Sequence, residues 1–221
     1  MTTQQTQTNY VTLSGTIVTE PTFSHEVFGE KFYEVILSVK RLSEMCDEIP
    51  VSVSERLMAD GLFTKGNAVS LTGQFRSYNK IVGDKSKLML TVFVRDVMPQ
   101  TDEVNPNFIQ LVGYVCKPPV YRTTPFQREI CDVLLAVNRQ YNKSDYIPMI
   151  AWGRNARFVR TLPVGEHVSV VGRVQSRQYQ KKLEDGTVVM RTAYEVSVSK
   201  VSVVSDLLPT EDPARDDARL Q

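Results

Sequence analysis

NYVTLSGTIVTEP, residues 9–21, is matched by NFIQLVGYVCKPP, residues 107–119, at a constant separation of 98 (107 − 9). The register continues without a gap through Val35 and Val133, Leu37 and Leu135, Val39 and Val137, and Arg41 and Arg139. Glu48-Ile49-Pro50 then meets Tyr146-Ile147-Pro148. One residue is gained before Gly66-Asn67-Ala68-Val69 meets Gly165-Glu166-His167-Val168, and Gly73 meets Gly172. An ungapped match of this length marks a tandem duplication, so the fold must be read once and applied twice.

Each copy alternates apolar and polar residues at period two, as half-buried strands do: Val11 and Leu13 with Thr12 and Ser14, and again Ile109 and Leu111. The pattern predicts three strands, a short helical segment (SERLMADGLF or RNARFVRTLP), then two strands. Gly73 and Gly172 fall inside the fourth strand, where glycine weakens a sheet unless the chain must bend sharply to close a barrel. Asp185-Gly186 turns the last hairpin. Five strands with a helix between the third and fourth is the order of the OB-fold. The predicted class is therefore all-β with short helices: two tandem OB-fold five-stranded barrels. The boundaries that follow are a disordered start over 1–8, a first barrel over 9–98 and a linker over 99–106. A second barrel covers 107–204, and an acidic, disordered tail covers 205–221.

Composition excludes more than it assigns. An apolar fraction of 42% beside 23% charged residues suits a chain that buries a core, and no apolar run approaches the roughly 20 residues of a membrane span. The polar opening MTTQQTQT has no apolar segment of a secretory signal, so a cytoplasmic location is expected. Cys46, Cys116 and Cys131 form no CxxC pair, and His25 and His167 stand apart from them. There is no P-loop, GxSxG elbow or dinucleotide fingerprint. No catalytic residue, metal ligand or cofactor is assigned, and the chain is not expected to be an enzyme.

Comparing the copies with each other separates core from function. Ile49/Ile147, Val51/Met149 and Val53/Ala151 are apolar in both copies and should face the barrel interior. The opposite face carries Glu48, Pro50, Ser52 and Ser54 in the first copy, but Tyr146, Pro148, Ile150 and Trp152 in the second. Charge divides likewise: residues 9–98 hold 10 Lys/Arg and 11 Asp/Glu, whereas residues 105–204 hold 14 and 7. In the second copy the cations interleave with rings, as in Trp152-Gly153-Arg154 and Arg177-Gln178-Tyr179. A groove that neutralises phosphates while bases stack on aromatic faces has this composition. Candidate phosphate contacts are Arg122, Arg139, Arg154, Arg157, Arg173, Arg177, Lys181 and Lys182.

NFIQLVGYVCKPPVYR, LLAVNRQY, WGRNARFV, PVGEHVSVVGRVQSRQY and EDGTVVMRTAYEV together resemble the bacterial single-stranded DNA-binding protein family, over nearly all of the second copy. The resemblance implies sequence-tolerant binding of single-stranded DNA in replication, repair or recombination. It implies base stacking on Tyr141, Tyr146, Trp152 and Tyr179. The corresponding first-copy residues, Ser43, Glu48, Ser54 and Lys80, supply no ring. That copy is expected to be degenerate and architectural, or to give a weaker phosphate track through Lys40, Arg41, Arg76 and Lys80. The resemblance further implies a homodimer with four OB-folds, in a bacterial cytosol or nucleoid, encoded by a cell, a phage or a plasmid. Family tails recruit replication and repair proteins through a Pro-Phe tip; here Asp216-Asp217 leads into Ala218-Arg219-Leu220-Gln221 instead, so that route lacks its tip. Two alternatives stay open: an RNA-binding or primosome-type OB-fold protein, and an OB-fold scaffold for other proteins.

Overall fold

The computed structural model describes residues 8–58, 60–83, 85–100, 106–183 and 185–207. The expected polar N-terminus, the centre of the linker and nearly all of the acidic tail lie outside them. The first copy runs β1 (Asn9–Ile17), β2 (Thr22–Val27), β3 (Glu30–Lys40), β4 (Cys46–Ser54), a 3₁₀ turn (Glu55–Met58), β5 (Ala68–Val82) and β6 (Lys85–Pro99). The second repeats it as β7 (Asn107–Val115), β8 (Val120–Thr123), β9 (Glu129–Arg139), β10 (Lys143–Trp152), α1 (Gly153–Val159), β11 (His167–Lys182) and β12 (Val188–Val203). Among the described residues no helix is long and apolar enough to cross a membrane.

In the first copy β1 pairs with β5, β5 with β6, β6 in parallel with β4, β4 with β3, and β3 returns to β1. That circuit is a closed five-stranded barrel, and β7, β11, β12, β10 and β9 repeat it. Closure depends on matched glycines. A Cβ on Gly73 would lie 2.3 Å from the Phe93 carbonyl oxygen, and one on Gly172 would lie 2.3 Å from that of Ser197. Both glycines sit where the register slips by a bulge, which bends the long strand so that one end joins the barrel. The other end continues past the barrel as a two-stranded arm, β5–β6 or β11–β12.

The expected five strands per copy are joined by a sixth. β2 and β8 pair with the outer edges of β3 and β9, outside the closed circuit. Every residue of β2 is exposed, so no face of it is buried and its sequence carries no alternation to read.

Inside the barrels, Leu13, Leu37, Ile49 and Phe75, and then Leu111, Leu135, Ile147 and Val174, are fully buried. Each stabilises the fold by about 1.5–3 kcal/mol relative to exposure. The inward set expected on the third strand, Ile49, Val51, Val53, Ile147, Met149 and Ala151, is buried throughout.

The barrels join through β1 and β7, which pair antiparallel with Val11 opposite Ile109. These two are duplicates of one another, so the junction has a local two-fold relationship within one chain. Equivalent hydrogen bonds flank it: Ser14 N–H donates to Pro106 O, and Val112 N–H to Thr8 O, both at 2.8 Å. A second matched pair crosses between β5 and β10 and between β11 and β4. Ser77 N–H donates to Asp145 Oδ1 at 2.8 Å, and Ser176 N–H to Asp47 Oδ1 at 2.7 Å.

Candidate nucleic-acid interface

The second barrel presents its rings on two hairpins. In β9–β10, Lys143 pairs with Arg139, which leaves a three-residue loop. Tyr141 and Asn142 occupy it with φ of 61° and 53°, a left-handed conformation that is costly for a side chain as bulky as tyrosine. Tyr141 is 90% exposed at that tip. Along β10, Asp145, Ile147, Met149 and Ala151 point inward, while Tyr146 and Trp152 face out at 46% and 40% exposure. Six residues of strand place those two rings about 20 Å apart. Pro148 between them is half-buried, and Ile150, outward by alternation, is nearly covered. Trp152 ends β10 in extended conformation, and Gly153 (φ 52°) then turns the chain into α1.

Tyr179 lies on the other hairpin, on the β11–β12 arm opposite Arg191. It is half-buried, with the Arg177 guanidinium 5.7 Å from its ring centroid. Lys181 and Lys182 stand further along the same strand. They line a cleft of about 1000 Å³ between the two arms, with Arg191 and Tyr194 beside them and Lys87 and Met89 on the first-barrel side. The lining mixes these cations with apolar side chains, Leu183 and Met190 among them, and with Asp185.

The candidate cations separate by their partners. Arg154, Lys181 and Lys182 are exposed and have no carboxylate within ion-pair distance among the described residues. Arg122 is held by Asp132 at 2.8 Å, Arg157 by Glu129 at 3.3 Å and Arg177 by Glu195 at 3.5 Å. Arg139 lies 3.5 Å from Asp145. Arg173 turns to the junction, 3.2 Å from Asp47 of the first barrel, and burial together with nearby Arg41 lowers its pKa. Thus three of the eight are unpaired cations, three are surface ion pairs, and two belong to the contact between barrels.

Two arrangements escaped the sequence reading. Arg160 sits over the Tyr121 ring at 4.9 Å, an association between α1's C-terminal end and β8 that no local spacing signals. In the first barrel, Phe93 faces outward on β6 beside Ser52, with the Arg76 guanidinium 3.8 Å above its ring. The first copy does lack rings at Ser43, Glu48, Ser54 and Lys80. One of its outward aromatics stands instead on the last strand, where the second copy has Ser197 in the same pairing with β10.

The profile of the single-strand binding protein family matches residues 106–204. Single-stranded DNA-binding protein 1 of Staphylococcus aureus (strain COL) is 36% identical over 83 residues, 34% of this chain and 50% of that protein. Single-stranded DNA-binding protein 1 of Clostridium acetobutylicum is 38% identical over 84 residues, covering 34% of this chain and 74% of that one. The chain thus spans about half the length of the first of these curated relatives and three quarters of the second. Among solved structures, the wild-type single-stranded DNA binding protein from Thermus aquaticus superimposes over 95% of this chain and 96% of its own, with a TM-score of 0.64 at 22% identity. That likeness extends the shared fold across both barrels. The chain belongs to the single-strand binding protein family.

Proposed function

We propose that the protein binds single-stranded DNA without strong sequence preference, and that the second barrel supplies most of the affinity. The observation that carries this reading is the exposed ring series Tyr141, Tyr146 and Trp152 on one hairpin, with the unpaired cation Arg154 just after Trp152 and the unpaired cations Lys181 and Lys182 on the other hairpin. Exposed rings leave a π-face to any base, and each stacked base is worth about 1–3 kcal/mol. Tyr179 and its neighbour Arg177 extend the surface along the arm. The family resemblance adds a role in replication, repair or recombination, and assembly of two chains into a four-barrel dimer. Light scattering of the free protein tests the assembly.

Trp152 is the chain's only tryptophan, so its fluorescence reports on this site alone. Titration with oligo-dT should quench it, because a base stacked on the indole removes emission. Trp152→Ala should weaken binding by about 1–3 kcal/mol with little preference among bases. Saturation seen by gel shift with unchanged emission would remove Trp152 from the site. Equal competition by oligo-rU would favour the RNA-binding alternative.

A further inference from the structure

Arg76 and Arg95 form a paired cationic site on the first barrel, and Arg76 directly precedes the residue that hydrogen-bonds the second barrel's Tyr146. Arg76 donates to Gln74 Oε1 at 2.8 Å, and Arg95 donates to the same oxygen at 3.4 Å. Both guanidiniums address one ring: Arg76 is 3.8 Å and Arg95 5.7 Å from the Phe93 centroid. Neither has a carboxylate within ion-pair distance among the described residues. The next residue, Ser77, binds the second barrel twice: its N–H donates to Asp145, and its hydroxyl accepts the Tyr146 N–H at 2.7 Å. Arg76 also stands close enough to Arg139 to be affected by its charge. Burial, then Arg139 and Arg95, bring the Arg76 pKa down to about 10, against the opposing pull of Asp145. Arg76 and Arg139 therefore both act on one buried carboxylate, Asp145, while Arg95 adds a further positive charge beside Arg76, an arrangement that a bound anion would relieve.

The duplicated side is built differently. There Arg173 and Arg41 both pair directly with Asp47, and Arg177 pairs with Glu195. Glu48 stands where Tyr146 stands on the other side, and Ser197 where Phe93 does. An anionic strand leaving the second barrel thus meets unpaired cations in one direction and satisfied ion pairs beside an acidic residue in the other.

Building on the single-strand-binding reading above, we propose that the strand crosses from Tyr146 onto the first barrel, where Arg76 and Arg95, seated on Phe93, hold its phosphates. The contact lies outside the stretch of chain that matches the family profile. Phe93 acts as the seat that fixes the Arg76 guanidinium rather than as a base platform, since the guanidinium covers its ring.

The test uses the full-length protein with Arg95→Gln, Arg95→Lys and Trp152→Ala, titrated with dT oligomers of about 8 and about 30 nucleotides, lengths that bracket one and several barrel sites. Arg95→Gln should leave the short oligomer's affinity unchanged and weaken the long one several-fold. The log–log salt slope for the long oligomer should fall by about 0.7, the share of one phosphate contact, and Arg95→Lys should restore it. An Arg95→Gln protein that binds both lengths like wild type, or weakens both alike, overturns the crossing. The parent reading is tested separately: if Trp152→Ala leaves short-oligomer binding intact, it is the second-barrel site that fails, whatever Arg95 does.

Discussion

Ser77 of β5 donates its backbone N–H to Asp145 of β10 at 2.8 Å, and this bond joins the two barrels. The duplicated bond, Ser176 to Asp47, has a much richer setting. Asp47 also receives Arg41 Nε at 2.7 Å and Arg173 at 3.2 Å, whereas among the described residues the second oxygen of Asp145 has only the Arg139 ion pair at 3.5 Å and no hydrogen bond. Two buried aspartates of one duplicated position therefore carry different energies. Asp47→Asn should cost about 3–5 kcal/mol, because it leaves two guanidiniums facing a neutral amide. Asp145→Asn should change stability by about 1 kcal/mol or less, since the amide oxygen still accepts from Ser77. Urea denaturation compares them, and equal midpoint shifts would contradict the asymmetry.

The same contrast has a pH signature. Burial pushes the Asp145 carboxyl above its ordinary value, against the pull of Ser77, Arg139 and Arg76. An acid raised in the folded state favours folding while protonated, and that contribution is lost as pH rises through the folded value. Asparagine has no such loss. The stability of Asp145→Asn relative to wild type should therefore increase as pH rises from below the unfolded carboxylate value of about 3.9 towards neutrality. Denaturation midpoints across that range check it, and a gap that stays constant or narrows would show that Asp145 is not raised.

The glycines give a prediction about closure. Gly172→Ala puts a Cβ 2.3 Å from the Ser197 carbonyl, so β11 or β12 must move; overpacking of this kind costs about 1–3 kcal/mol or more. Gly186→Ala has open space around it and is burdened only by its φ of 85°, a cost of about 1–2 kcal/mol. The two also differ in what they disturb. Gly172→Ala should loosen amide exchange protection in β7 and β12, while Gly186→Ala should affect only the arm's tip. Protection lost equally in both variants would argue against the bulge as the point of closure.

Those glycines also show what can be read from sequence. The core was legible because duplication supplies a control: a position apolar in both copies, such as Val51 and Met149, must serve the fold they share. Tyr146 and Trp152 were legible as the departures from that control. β2 was not, because a strand with no buried face has no periodicity. Phe93 is not legible that way, because the matching position of the second copy is Ser197 and carries no ring. Arg173 and Arg139 read as groove cations because charge is visible in sequence, while the junction that occupies them is created only when the barrels meet.

That distinction among cations can be measured. Replacing Lys181 and Lys182 together with Gln should flatten the log–log salt dependence of oligo-dT binding by up to about 1.4, two phosphate contacts at about 0.7 each. Arg122→Gln and Arg157→Gln should change the slope less, since Asp132 and Glu129 already oppose those charges. Affinities at four salt concentrations suffice. A steeper loss from Arg122→Gln than from the lysine pair would mean that ion pairs open on binding and that the free-state geometry is a poor guide to the groove.

Tyr141 sets stability against binding at a single residue. It holds a left-handed backbone at a loop tip, where its ring is 90% exposed and so contributes little burial to the fold. Glycine adopts that backbone without the roughly 1–2 kcal/mol penalty of an L side chain, although it also gains entropy when unfolded. Tyr141→Gly should therefore raise stability by about 1 kcal/mol or less, and it should lower affinity for single-stranded DNA by about 1–3 kcal/mol through the lost ring. Tyr141→Phe, which keeps both the strain and the π-face, should leave stability and binding close to wild type. Denaturation and oligo-dT titration of the three proteins decide the matter. If the glycine variant is more stable and binds equally well, the strained tyrosine is not a stacking residue; if it is less stable, the ring supports the loop in a way its exposure does not show.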